Sequence, residues 1–153
     1  MDLKRHTFRK RERMRLRTDI DRLFSAGNKS FSAFPVRAVC RAVKFGGVEV
    51  CVLISVPKRH LHHAVDRNRV KRQLREAYRL NKDILVGAVA AGNEGRIPEE
   101  RLSLHVALVW LSKDMFPSES VEKKVKNLLH RMAEKMFLPA PSVSSLSDGG
   151  ADK

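Results

Sequence analysis

Between Pro57 and Arg79 the chain sets Lys58, Arg59, Arg67, Arg69, Lys71, Arg72, Arg75 and Arg79 against two acids, Asp66 and Glu76. Arginine outnumbers lysine there. Its planar fork can take two phosphate oxygens at once or stack on an exposed base, which an ammonium cannot do. Asn68 lies between Arg67 and Arg69, close to where a helix would begin. Backbone donors and the helix dipole also favour phosphate at such a point. A merely solvated face would interleave Glu with its Lys and Arg, and after Asp66 the single acid is Glu76. The chemistry on offer is anion recognition.

Groups that could break bonds are poorly arranged. His60, His62 and His63 share one loop, but no Cys or carboxylate follows at metal-ligand spacing. Asp19 and Asp21 form an Asp-x-Asp that a helix would point to different sides, which argues against a two-metal nuclease. Ser55 and Ser103 fall in strand-like runs without a nearby base. Cys40 and Cys51 read as buried free thiols of a reducing compartment. No catalytic residue and no metal-ligating set is expected from the protein.

The basic residues need a helix to present them. Asp66 is the expected cap of one running to about residue 81 or further. On it Val70, Leu74 and Ala77 line one face, while Asn68, Arg72, Arg75 and Arg79 fall opposite with Lys71 beside them. Ahead of it, Thr18 or Asp19 caps a short helix bearing Ile20, Leu23 and Phe24, ended by Gly27. Residues 29–34 suggest an edge strand stopped by Pro35. Val36 to Val43 alternates, Gly46-Gly47 signals a hairpin, and Val48 to Val56 is the clearest strand. Leu102 to Trp110 alternates as a half-buried strand. Pro117-Ser118-Glu119 opens a last helix with the stripe Val121, Val125, Leu128, Met132 and Met136. The order α-β-β-β-α-β-α implies an α+β fold, a small mixed sheet with helices on one face and the other face open as a groove beside the first helix.

Composition agrees with a polyanionic partner. The 153 residues carry 31 Lys plus Arg against 17 Asp plus Glu, a formal charge of +14 that repels itself in the folded state. That excess predicts a nucleic-acid partner. No apolar run is long enough to span a bilayer, and no apolar stretch follows the N-terminal charges, so a cytoplasmic protein without a membrane role is expected. Residues 1–17 read as a basic arm and 18–137 as one RNA-binding domain. Residues 87–101, Gly-rich and then charged, read as a flexible insertion, and 138–153 as a disordered tail.

The run Arg67-Asn68-Arg69-Val70-Lys71-Arg72, preceded by Lys58-Arg59 and followed by Arg75-Glu76, resembles the signature of the bacterial ribonuclease P protein subunit. Phe8, Arg13, Leu16, Asp19 to Phe24, Gly27 and Phe34-Pro35-Val36-Arg37 agree with it in order, so the resemblance spans roughly residues 8–137. It implies an α/β sandwich with a left-handed βαβ crossover, against the usual hand. It also implies that the signature helix docks on a catalytic RNA through Lys58, Arg59, Arg67, Asn68, Arg69, Lys71, Arg72, Arg75 and Arg79. The 5′ leader of precursor tRNA would lie in a cleft between the first helix and the sheet, with Ile20, Phe24, Phe34 and Arg37 as candidates. Phe24 keeps an aromatic position, whereas Ile20 stands where Phe is frequent and cannot stack as a ring does; a core role for Phe24 is the competing reading. The RNA would perform phosphodiester hydrolysis with Mg2+ that it holds mainly itself, no organic cofactor being needed, and the protein would be a monomer in a 1:1 complex. The rival readings are a basic structural protein of the ribosome or nucleoid, which needs no cleft, and a stand-alone nuclease, which lacks its carboxylates.

Overall fold

The computed structural model describes residues 12–14, 17–25 and 28–136. Most of the expected arm, Phe8, Leu16 and Gly27 of the family pattern, and the expected tail lie outside the described residues. The elements are α1 (Arg17–Leu23), β1 (Lys29–Ala33), β2 (Val36–Lys44), β3 (Val50–Ser55), α2 (Ala64–Asn93), β4 (Leu102–Trp110) and α3 (Ser118–Met136), with a 3-10 turn at Pro98–Glu100 before β4. This is the α-β-β-β-α-β-α order read from the sequence.

The sheet order is β1-β2-β4-β3. β1 and β2 form an antiparallel hairpin about Phe34-Pro35, β2 pairs antiparallel with β4, and β3 pairs parallel with β4. The hairpin expected at Gly46-Gly47 is therefore not formed, because β4 enters between β2 and β3. β4 suits the central place since it is apolar on both faces: Leu104, Val106, Leu108 and Trp110 on one, Ala107 and Val109 on the other, all buried. The link between β2 and β3 is instead tied to β4. Ser103 Oγ donates to the Val48 carbonyl at 2.6 Å and accepts from the Gly46 amide at 3.1 Å. Gly47 has φ +103° there, a conformation open to glycine at little cost.

α2 differs from expectation at both ends. It begins at Ala64 with His63 at the cap position and no capping side chain, so Asp66 lies in the first turn instead. It then continues through Gly87 to Asn93, so the first half of the expected insertion is helix. A helical glycine costs about 1 kcal/mol relative to alanine, but Leu85 and Val89, both fully buried, hold this stretch on the core. Asn93 fastens the helix end to β4: its Nδ2 donates to the Leu102 carbonyl and its Oδ1 accepts from the Leu102 amide, both at 2.9 Å.

The main core lies between the sheet and α2 and α3. It gathers Trp110, Tyr78, Leu74, Leu85, Leu104, Leu128 and Met132, among others. Each fully buried leucine contributes about 1.5–3 kcal/mol. A second, smaller cluster on the other sheet face joins Met14 and Leu23 to Val39, Ala107 and Val109. That face is thus partly covered by α1 and residues 12–14, not left wholly open.

Candidate nucleic-acid interface

Burial of Val70, Leu74, Ala77 and Tyr78 turns the opposite side of α2 outward. Asn68, Arg69 and Arg72 are exposed, and Lys71 and Arg75 are half-buried. Among the described residues neither Arg72 nor Arg75 has a carboxylate partner, so their charge faces solvent. Arg79 departs from the expected set. Its Nε donates to Glu76 Oε1 at 3.1 Å, and that bond holds the Glu76 carboxyl below its ordinary pKa. An i,i+3 pair of this kind, exposed as it is, stabilises little, but it removes Arg79 from the unpaired cations.

Arg67 also has work within the fold. Its Nη1 donates to the carbonyls of Leu61 (2.9 Å) and His62 (2.8 Å). Leu61 is buried in the main core, and its amide and that of His60 both donate to the Pro57 carbonyl. The guanidinium therefore shapes the loop that carries exposed Lys58 and Arg59. His60, His62 and His63 ride on the same loop. Among the described residues no three His, Cys, Asp or Glu side chains are grouped to hold a metal ion.

On the other sheet face, α1 stands over β2 and β4. Leu23 is fully buried there and Ile20 packs partly against the same cluster. Phe24 is 45% exposed, which excludes the core role. Strand alternation puts Arg37, Val39 and Arg41 on this face, and register sets Arg41 and Cys51 on either side of His105. Arg37 Nε donates to Ser30 Oγ at 3.0 Å. Burial lowers the pKa of His105, with Arg41 lowering it further and Asp19 opposing both. Burial also raises that of Cys51, again with Asp19 as a contributor. Asp19 thus belongs electrostatically to the groove, whereas Asp21 pairs outward with Arg17 at 3.8 Å. Ile20, Phe24 and Arg37 share this side, but Phe34 does not. Phe34 sits edge-on to Phe116, which packs on Trp110 of the opposite core (centroids 6.1 and 5.7 Å). Phe34 leaves the expected cleft because it occupies the β1–β2 turn rather than a strand position.

The sequence reading assigned no site role to Arg41 or His105, and named Arg13 only within the basic arm and the family pattern. Alternation with Arg37 could have found Arg41; His105 needed the pairing of β4. Arg13 needed a longer-range contact. Residues 13 and 14 run parallel beside β3, the Met14 amide donating to the Val52 carbonyl at 3.0 Å. The largely buried pair Lys82 Nζ–Glu12 Oε1, at 3.0 Å, anchors that segment on α2. Arg13, Leu53, Ile54, Lys71 and Arg75 then line one depression at the β3 edge. Met14 and Leu53, which belong to the α1-side cluster, also line this depression, so the basic side of α2 adjoins that sheet face.

Comparison with known proteins gives a consistent answer. The profile of the family described as Ribonuclease P matches residues 8–133. A ribonuclease P protein component of Porphyromonas gingivalis is 34% identical over 125 residues, covering 81% of this chain and 85% of the relative. One from Chlorobaculum tepidum is 43% identical over 74 residues, or 46% of this chain and 48% of that protein. Among solved structures, the ribonuclease P protein of Thermotoga maritima matches with a TM-score of 0.57 and 27% identity over 79% of this chain and 97% of its own. That of Staphylococcus aureus gives 0.60 at 19% identity, over 83% and 98% respectively, which speaks to the fold. Fold, basic helix and relatives agree: the chain belongs to the bacterial ribonuclease P protein family.

Proposed function

We propose that this chain binds the catalytic RNA of ribonuclease P through α2 and the Lys58-Arg59 loop. On the other sheet face it holds the single-stranded 5′ leader of precursor tRNA in the α1 groove, assisting magnesium-dependent removal of the leader. The observation that carries the reading is the outward side of α2. Arg72 and Arg75 are unpaired by any described carboxylate, and Arg69 and Lys71 stand beside them. Such a surface neutralises phosphates and releases their counterions. The groove supports the second half: Phe24 offers an exposed ring for base stacking, and Arg37 and Arg41 offer charge to the backbone.

The family implies Mg2+. Among the described residues no three His, Cys, Asp or Glu side chains are grouped to hold an ion, and Glu12 and Glu76 are paired with Lys82 and Arg79. The reading therefore leaves the metal and the hydrolysis to the RNA and gives the protein the task of binding and orienting. It also takes the protein as one copy per RNA, working in the cytoplasm; no described helix is long and apolar enough to cross a membrane.

The test is reconstitution of the purified chain with its cognate RNA and a leader-bearing precursor tRNA. Cleavage at low magnesium should accelerate. Arg72→Ala with Arg75→Ala should make the log–log salt dependence of RNA binding shallower, by about 0.9 for each duplex phosphate no longer neutralised. Cleavage that ignores the protein would end the proposal; an unchanged slope would remove α2 from the interface.

A further inference from the structure

The basic residues of α3 gather mainly toward one edge, Lys126 alone among its lysines falling with Glu119 and Glu122 on the other flank. Val121, Val125, Leu128, Leu129 and Met132 form its buried stripe. The flank toward α2 carries the acids Glu119 and Glu122, and they face Arg69 and Arg72 of α2 across one depression. Glu122 Oε2 accepts from Asn81 Nδ2 at 3.3 Å, and Glu76 of α2 lines the same depression. The flank toward β1 is basic: Ser120, Lys123, Lys124, Asn127 and Arg131 line a groove against Ser32, with no acid among its lining residues. Glu134, exposed near the end of α3, is the acid that follows on that side.

Arg131 is fixed in place there. Its Nη1 donates to the Ser32 carbonyl at 2.7 Å, and its guanidinium carbon lies 5.7 Å from the Phe31 ring centroid. Lys123, Lys124 and Asn127 are exposed. Lysine, arginine, serine and asparagine together are the donor set that contacts phosphate and sugar oxygens. No bulky apolar side chain lines the groove, which disfavours a lipid surface.

β1 and β3 are the two outer strands of the sheet. The α3 groove opens at β1, whereas the depression lined by Lys71 and Arg75 opens at β3. Three strand spacings, about 14 Å, separate those edges, and the depression between the helices, which Arg69 and Arg72 line on the α2 side together with Glu76, is lined on the α3 side by Glu119 and Glu122. A phosphate backbone following α2 would meet those carboxylates before it reached α3. We propose that the β1-side flank of α3 is a second RNA-phosphate contact surface, engaging a segment distinct from the one bound by α2. The proposal rests on the RNA-binding reading above for the identity of the polyanion.

The experiment places a photocrosslinking amino acid at position 127, and separately at position 72, in the full chain assembled with ribonuclease P RNA and precursor tRNA. Both should crosslink to RNA, and to different segments. Crosslinking from position 72 alone, from both positions to one segment, or from position 127 to protein would overturn this inference and leave the α2 reading standing. Crosslinking from neither would remove both. In parallel, Lys123→Gln with Lys124→Gln should flatten the salt slope of RNA binding by about 1.8 when two duplex phosphates go unneutralised. An identical slope with unchanged circular dichroism would count against the surface.

Discussion

Arg67 and Arg72 lie one turn and a half apart on one helix, yet the fold uses them differently. Arg67 spends Nη1 on the Leu61 and His62 carbonyls, whereas Arg72 is exposed and pairs with no described carboxylate. Arg79, of the same residue type, is paired with Glu76. A count of arginines cannot separate these roles, because each depends on which oxygen lies within reach. Phe24 and Phe34 make the same point for aromatics: both are exposed, but Phe34 lies against Phe116 on the far side of the sheet. Phe24→Ala should therefore weaken binding of leader-bearing precursor by about 1–3 kcal/mol, the worth of one stacked base, and leave mature tRNA binding and the melting temperature unchanged. Equal losses for both tRNAs, measured by titration at fixed salt, would take Phe24 out of the leader groove.

At the scale of elements, α2 shows how packing overrides a local signal. Gly87 and Gly92 suggest a loop, but Leu85 and Val89 recur at i and i+4 and are fully buried, which draws the helix onward. Asn93 then replaces what a longer connection would have done. It pairs with both backbone groups of Leu102 while 8% exposed. Asn93→Ala leaves the part-buried N–H and C=O of Leu102 without those partners, and the expected destabilisation is about 1 kcal/mol by urea denaturation. A change within error would mean that the end of α2 is held by its apolar contacts alone. The unformed hairpin at Gly46-Gly47 has a similar origin. Two turn glycines satisfy a local rule, but β4, apolar on both faces, lowers the free energy more by taking the central position.

Across the whole molecule the formal charge is +14, and among the described residues part of that excess gathers at opposite sheet edges, Lys71 and Arg75 at β3 and Lys123, Lys124 and Arg131 at β1. Such a chain repels itself when free and is relieved when bound. Raising NaCl from about 0.1 M to about 1 M shortens the Debye length from about 10 Å to about 3 Å. The melting temperature of the free protein should rise over that range while RNA affinity falls; a free protein that melts lower at high salt would show that its ion pairs, such as Lys82–Glu12, outweigh the repulsion. The order of elements, the buried stripes of α2 and α3 and the basic character of one helix face were legible from the sequence. Helical periodicity and charge segregation are properties of neighbours three and four residues apart. Strand order, the reach of α2 to Asn93, the capture of Arg67 and Arg79, and the separation of Phe34 from Phe24 were decided by the tertiary structure. Each depends on groups distant in the chain, or on competing nearby oxygens, brought within hydrogen-bonding or van der Waals distance once the two faces of β4 are buried.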